Sequence, residues 1–337
     1  MTAAAIFGCA GLALSGTERA FFSEVDPWGF ILFARNIATP DQVRDLTHAL
    51  RASVGRDAPI LIDQEGGRVA RLRPPHWRGW SPALDTAAAP ALDEAERCEA
   101  LRLRYRLIGH ELAAVGVDVN CAPLLDIPIP GAHDIIGDRA LGDTVEDVTR
   151  RGRAVHDGLL DAGVLPVIKH VPGHGRAGAD SHLALPRVST PLDQLAETDF
   201  RPFAALADAP LAMTAHIVYE ALDPEACATL SPVVIGYIRE TLGLSGLLMS
   251  DDLSMKALDG DFGTRTTRAL DAGCDLVLHC NGDMPEMQAV AASLRPLTPM
   301  ARTRAERALA LRHADAPDIA HSTARHAALA GRGGFDV

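Results

Sequence analysis

Between Lys169 and Pro186 the chain reads KHVPGHGRAGADSHLALP, with three histidines, one lysine and one aspartate spaced by glycines. A segment this rich in glycine is neither helix nor regular strand, so its titratable groups ride on a loop. A metal site, a phosphate cradle and a mobile acid/base loop all use such residues. His170 and His174 are four apart, but Pro172 and Gly173 between them rule out a metal pair on one helical face. No His-x-His pair occurs elsewhere in the chain, so no metal and no cofactor are expected. Carboxylates suited to chemistry recur along the sequence: Asp63, Glu65, Asp126, Asp180, Asp251 and Asp252. Histidines 170, 174, 182 and 216, arginines 68, 71 and 139, and Lys169 accompany them. Glycoside hydrolysis needs such a set: a carboxylate near the anomeric carbon, a proton donor for the leaving oxygen, and charged groups for hydroxyls. Asp63, with Arg71 eight residues on, is suited to gripping hydroxyls.

The elements that must position these groups follow one theme. Eight short apolar runs end abruptly in polar residues, near 4–9, 29–36, 59–67, 117–123, 164–170, 210–216, 246–252 and 274–280. Runs that are apolar throughout suit strands covered on both faces of a parallel sheet. Helical patterns lie between them, at 39–53 with Thr39 and Pro40 as start signals, and at 93–116, 145–163, 232–243 and 264–273. Each of the last four finishes in glycine. Eight β-then-α units predict a single-domain (β/α)8 TIM-type barrel over residues 1–337, with the last dozen residues expected to fray. No linker or shift of composition divides the chain into the alternative, two smaller α/β domains. Active sites of such barrels lie at the C-terminal strand ends. Those ends carry Asn36, the Asp63 to Glu65 run, Lys169 and His170, His216, Asp251 and Asp252, and Asn281, with Asp126 just beyond a strand.

Composition limits the function classes. Apolar residues make up 47% of the chain, charged residues 23%, and the formal net charge is −12. No basic footprint exists for nucleic acid or an anionic membrane. Six cysteines form no CxxC pair, which fits reduced thiols and a cytoplasmic protein. The opening MTAAAIFGCAGLALS carries Cys9 but no Lys or Arg, and its apolar run is too short for a signal h-region, so it reads as a buried first strand. No run approaches the about 18 apolar residues of a membrane span. The expected partner is a small carbohydrate substrate, met by a monomer.

KHVPGHGRAGADSH resembles the KHFPGHG…DSH signature of family 3 glycoside hydrolases of the bacterial, NagZ-like β-N-acetylhexosaminidase type. LIDQEGGRVARL, IGDRALGDT and LLMSDDLSMKAL match three further blocks in order, and FARN, APLLDI, MTAHIVY and LHCN correspond at strand ends. The resemblance runs from about residue 5 to about residue 285, and the length is similar to that of the single-barrel branch. It implies that Asp251 is the nucleophile that forms a glycosyl-enzyme. It implies that His182 is the general acid/base with Asp180 as its partner, and that Asp63, Arg71, Arg139, Lys169 and His170 bind the sugar. His216 and Asn281 join them as rim candidates. Exo-cleavage of terminal N-acetylglucosamine from 1,6-anhydro-muropeptides, in peptidoglycan recycling, is the implied activity. Two departures stand out: Val171 replaces an aromatic residue, and LALP follows DSH without the usual charge.

A histidine titrates near neutrality, so it can give and then take a proton at cytoplasmic pH. Two other functions fit the same residues. A neutral histidine base repels phosphate less than a carboxylate does, which permits a phosphorylase. A sugar-binding protein without catalysis is the third. Other residues read as support. Asp252 caps, His174 braces the loop, Glu65 with Gly66 and Gly67 shapes a turn, and Asp126 holds neighbouring cationic groups. Arg68 either pairs at the surface or supports Asp63. Trp77 and Trp80 pack, as do or lie at the surface the histidines at 48, 76, 110, 156, 313, 321 and 326.

Overall fold

Eight parallel strands close on themselves in sequence order, each hydrogen-bonded to its neighbours in the chain and the first to the last. They are β1 (Ala3–Gly8), β2 (Pro27–Leu32), β3 (Ile60–Ile62), β4 (Val119–Asn120), β5 (Leu165–Val171), β6 (Leu211–Thr214), β7 (Leu247–Asp252) and β8 (Leu276–His279). All eight fall on the apolar runs. This computed structural model describes residues 1–129, 131, 134–177, 185–312 and 318–335. β1, β2, β3, β6 and β8 are buried along their whole length, as strands with the barrel core on one side and helices on the other must be. The closure is in register at Ala5 with Val277 and Ile6 with Leu278. A separate two-stranded parallel ribbon joins Arg187–Val188 to Val218–Tyr219.

The helices form where local signals place them. Thr39 caps helix Pro40–Val54 by accepting the Gln42 N–H at 3.3 Å, with Pro40 at the first position and Gly55 closing it at φ +64°. Asp93 and Glu96 form a capping box at the head of Glu94–Ala113. Thr144 caps Val145–Asp161, Ser231 caps Pro232–Glu240, and Asp261 caps Phe262–Ala272. Gly116, Gly163 and Gly243, which end three of the patterns, lie two or three residues beyond their helices; Gly273 is itself the left-handed cap. Helix Gly16–Val25, which apolar periodicity does not announce, is started by Ser15 and the buried Glu18. The Glu18 carboxylate accepts the Ala10 N–H at 2.8 Å and the Ser15 N–H at 2.9 Å.

Residues 326–333, in the tail where fraying is expected, are helical. Helix Ile319–Gly333 lies against Glu94–Ala113, and Leu329, Ala330 and Phe335 bury with Leu92 and Ala100. Arg325 adds a two-point pair with Glu99 at 2.6 and 2.8 Å. Apolar residues every three or four positions hold this tail, despite its glycines. No helix among the described residues is long and apolar enough to cross a membrane.

Candidate active site

A cleft of about 210 Å3 opens over the C-terminal ends of the strands. Its polar wall is Asp63, Arg68, Arg71, Arg139, Lys169, His170, Asp251 and Asp252, and its apolar wall includes Ile31, Phe33, Met213, Met255, Leu278 and Cys280. Consecutive side chains of a regular strand face opposite ways, yet Lys169 and His170 both line the cleft, and so do Asp251 and Asp252. The sheet explains this. β5 and β6 pair Ile168 with Ala212 but then Val171 with Thr214, a break in register that brackets Lys169 and His170. β7 and β8 pair Met249 with Leu276 but then Asp252 with Leu278, which brackets Ser250 and Asp251. Each break is a local bulge that re-aims side chains at the mouth of the barrel.

The most buried part of the cleft is an ion cluster. Lys169 Nζ lies 2.8 Å from Asp63 Oδ1 and 2.7 Å from Glu65 Oε1. Arg71 Nη2 reaches Asp63 Oδ2 at 3.2 Å. Arg139 grips Glu65 with two parallel bonds of 2.9 Å, from Nε and Nη2. Three cations therefore meet two carboxylates, and the lysine ammonium bridges both. Burial pushes the Asp63 carboxyl up, but Lys169 and then Arg71 outweigh it and hold it well below the carboxylate range. Burial acts the same way on Glu65, where Arg139 and Lys169 bring it down to about 2. Burial would discharge Lys169, but Asp63 and Glu65 raise it above the usual ammonium range. Asp63, Glu65 and Lys169 are therefore charged at neutral pH. Asp63, Arg71, Arg139 and Lys169 are brought together as the sequence predicts. Glu65 is more than a turn former: it is 3% exposed and anchors both Arg139 and Lys169. Its spacing from Asp63, i and i+2, is the signal that both carboxylates face one way.

The backbone of Glu65 is set by helix Glu94–Ala113. Tyr105 Oη donates to the Glu65 carbonyl at 2.9 Å and Arg104 Nη2 to the same oxygen at 3.3 Å. Gly66 and Gly67 follow at φ +103° and +54°, and a Cβ on Gly66 would meet Arg104 Nη2 at 2.1 Å. The turn is thus shaped for glycine by conformation and by space.

A second buried carboxylate sets His170. Asp126 Oδ2 takes His170 Nδ1 at 2.8 Å, while Oδ1 takes the backbone N–H groups of His174 at 2.6 Å and His170 at 3.3 Å. Burial raises the Asp126 carboxyl, and His170 more than offsets this, so it stays lowered. The His174 ring packs edge-on against His170 with centroids 5.5 Å apart, and burial, then the neighbouring His170, lowers it to about 4. His174 is thus a neutral brace. A Cβ on Gly175 would lie 1.8 Å from the Ile127 carbonyl oxygen, so the base of the glycine-rich loop is pressed onto the segment after Asp126.

Asp251 ends the sequence LLMSD on β7 and opens on the cleft, with Oδ1 accepting the Asp252 N–H at 2.8 Å. Asp252 is held by Ser254 and Cys280: Oδ1 accepts Ser254 N at 3.0 Å and Cys280 N at 3.1 Å, and Oδ2 accepts Ser254 Oγ at 2.6 Å. It caps, as expected. Arg68 pairs with Asp138 at 2.8 Å and donates to the carbonyls of Asp134 and Ile135, both at 2.9 Å. It binds the segment that carries Arg139 rather than Asp63. Phe33, the first residue of FARN, lies under two guanidinium groups, Arg35 at 5.1 Å and Arg71 at 5.3 Å from the ring centre.

Two predicted site residues do not line the cleft. His216 is fully buried behind it, with Nδ1 against Thr229 and Nε2 against the Asp252 carbonyl. Asn281 is turned to the outside, where its Nδ2 donates to Glu286 at 3.0 Å. Asp180 and His182 lie outside the described residues. Among the described residues no group of three His, Cys, Asp or Glu side chains is arranged to hold a metal ion.

The cleft can present fixed charges to several hydroxyls and a carboxylate to a carbon between them. The chain is similar to known proteins. Residues 15–311 match the family described as "Glycosyl hydrolase family 3 N terminal domain". A beta-hexosaminidase of Methylococcus capsulatus is 40% identical over 82% of this chain and 82% of its own length. NagZ of Neisseria gonorrhoeae, solved in complex with N-trifluoroacetyl-D-glucosamine, superposes with a TM-score of 0.86 at 27% identity, over 98% of both chains. A family 3 beta-N-acetylglucosaminidase of a Paenibacillus species is 32% identical with a TM-score of 0.79. This chain is covered to 99% and spans 62% of the length of that enzyme.

Proposed function

The chain belongs to the family 3 glycosyl hydrolases, a family of glycosidases, and we propose that it is a retaining exo-β-N-acetylglucosaminidase working as a cytoplasmic monomer. Asp251 attacks C1 of a terminal β-linked N-acetylglucosamine. The C1–O bond to the leaving group breaks as His182, held by Asp180, protonates the departing oxygen. Water, deprotonated by His182, then cleaves the glycosyl ester, and two inversions give net retention. No cofactor takes part. The natural substrates are 1,6-anhydro-muropeptides of peptidoglycan recycling.

The observation that carries this reading is that Asp251 opens onto the same cleft as Lys169, Arg71, Arg139 and His170. The fixed charges bind hydroxyls without reorganising, so binding places C1 against the carboxylate. The beta-hexosaminidase relatives and the N-acylglucosamine bound by the Neisseria protein support the substrate class. Six cysteines without disulfides suit a reducing compartment.

The test is turnover of a chromogenic β-N-acetylglucosaminide by Asp251→Ala and His182→Ala. The first is expected to lose nearly all activity and to regain part of it with azide, which fills the vacated space and yields an α-configured azide. The second loses most activity on poor leaving groups and less on activated aryl glycosides. Near wild-type turnover by Asp251→Ala would overturn the nucleophile. Sugar 1-phosphate formed only with added phosphate would make the protein a phosphorylase. Binding of N-acetylglucosamine without turnover by the wild type would make it a sugar-binding protein.

A further inference from the structure

We infer that His216 is a positioning residue for the nucleophile, fixing from behind the backbone that holds the Asp251 carboxylate; this rests on the assignment of Asp251 above. His216 follows β6, is wholly buried and does not line the cleft. Its Nε2 lies 3.0 Å from the Asp252 carbonyl oxygen. A carbonyl only accepts, so Nε2 carries the hydrogen. Burial keeps the ring neutral, so Nδ1 accepts, and its partner at 2.7 Å, Thr229 Oγ1, donates. Thr214 Oγ1, 2.8 Å from Thr229 Oγ1, then donates in turn. The other acceptor within reach of the Thr229 hydroxyl, the Ala215 carbonyl, is longer at 3.2 Å. One carbonyl thus sets the direction of the whole row from Thr214 to Asp252.

Asp252 is where such a hold is needed. The register break between β7 and β8 leaves Ser250 and Asp251, just before Asp252, without regular ladder pairing, and side chains take over. Ser250 Oγ accepts the Leu278 N–H at 3.0 Å. The Asp252 carbonyl takes His216 Nε2 and the Met255 N–H at 3.2 Å. Its carboxylate is held by Ser254 and Cys280. With both ends of Asp252 clamped, its N–H points one way, at Asp251 Oδ1, 2.8 Å off. Attack on C1 needs the carboxylate in one orientation, and a misplacement of about 1 Å costs on the order of a hundredfold.

The experiment compares His216→Leu, His216→Gln and His216→Asn in the full chain, with Asp251→Ala alongside. A glutamine amide offers a donor near Nε2 and an acceptor for Thr229; the shorter asparagine does not reach the Asp252 carbonyl. We expect kcat to fall about tenfold to a hundredfold in His216→Leu and His216→Asn, with binding of N-acetylglucosamine by calorimetry within twofold of wild type. His216→Gln should recover most of kcat. If His216→Leu does not fold, the comparison of Gln with Asn decides. Weakened binding with kcat kept would make His216 a substrate ligand and overturn the inference. Wild-type kcat in Leu or Asn, or equal loss in Gln and Asn, would also overturn it. Turnover by Asp251→Ala would instead remove the nucleophile assignment, whatever the His216 variants do.

Discussion

Replacing Glu65 by glutamine keeps shape and removes one charge from the middle of the ion cluster. The carboxylate accepts three charge-assisted bonds, two from Arg139 at 2.9 Å and one from Lys169 at 2.7 Å, in a residue 3% exposed. An amide keeps one oxygen and turns an NH2 toward a cation. Breaking one side of a buried pair costs about 3–5 kcal/mol. The carboxyl itself gives an independent figure. It is lowered from 4.5 to about 2, which corresponds to about 3 kcal/mol at neutral pH. For a chain of 337 residues the unfolding entropy is about 0.7 kcal/mol/K, so the melting midpoint should drop by about 4–7 °C. The sign with pH is fixed. A carboxyl with a depressed folded pKa contributes above its unfolded value, and the contribution is lost as pH falls through the folded one. The stability gap between wild type and Glu65→Gln should therefore narrow by about 2 kcal/mol between pH 7 and pH 3. Equilibrium unfolding in urea at several pH values measures the gap, and steady-state kinetics should show KM raised as Arg139 loses its anchor. A midpoint within about 1 °C of wild type with unchanged KM would refute the idea that Glu65 organises the cleft.

Two other outcomes follow from the loop base. His174, buried with its pKa lowered to about 4, binds fewer protons folded than unfolded between that value and its ordinary 6.5. Its contribution is present above 6.5 and shrinks on acidification by about 2 kcal/mol from pH 7.5 to pH 5, and urea titrations should find this part missing in His174→Gln. Gly175→Ala forces a Cβ against the Ile127 carbonyl; the backbone must shift, stability should fall by about 1–3 kcal/mol, and kcat should drop with it, whereas an unchanged urea midpoint would deny the close contact.

The barrel was legible because its strands are buried on both faces and so spell themselves as apolar runs. Lys169 and Asp251 were legible because their spacing sits at strand ends. What escaped was direction. Lys169 and His170 are adjacent, and alternation would send them to opposite faces; only the register break in β5 turns both inward. His216 ends an apolar run as the other candidates do, yet its ring turns back onto Asp252. A one-residue change of phase is invisible to hydrophobic pattern, since both faces of these strands are apolar. Glu65 was read as part of a glycine turn because two glycines follow it, and the partners that reveal its role, Arg139 and Lys169, are 74 and 104 residues away.

Seven of the eight strand seams join stretches that leave the ribosome one after another, but the seam of Ala5 with Val277 joins the two ends of the barrel. At about 5–20 residues per second, the first strand waits on the order of 15–50 s for its partner to be synthesised. Through that interval both of its neighbours-to-be are represented by β2 alone, and its free edge is apolar. Nascent chains should therefore need shielding of the Ala3–Gly8 edge until the last strand emerges, and the cleft, which has walls from both sides of that seam, is completed only once Leu276–His279 has been made.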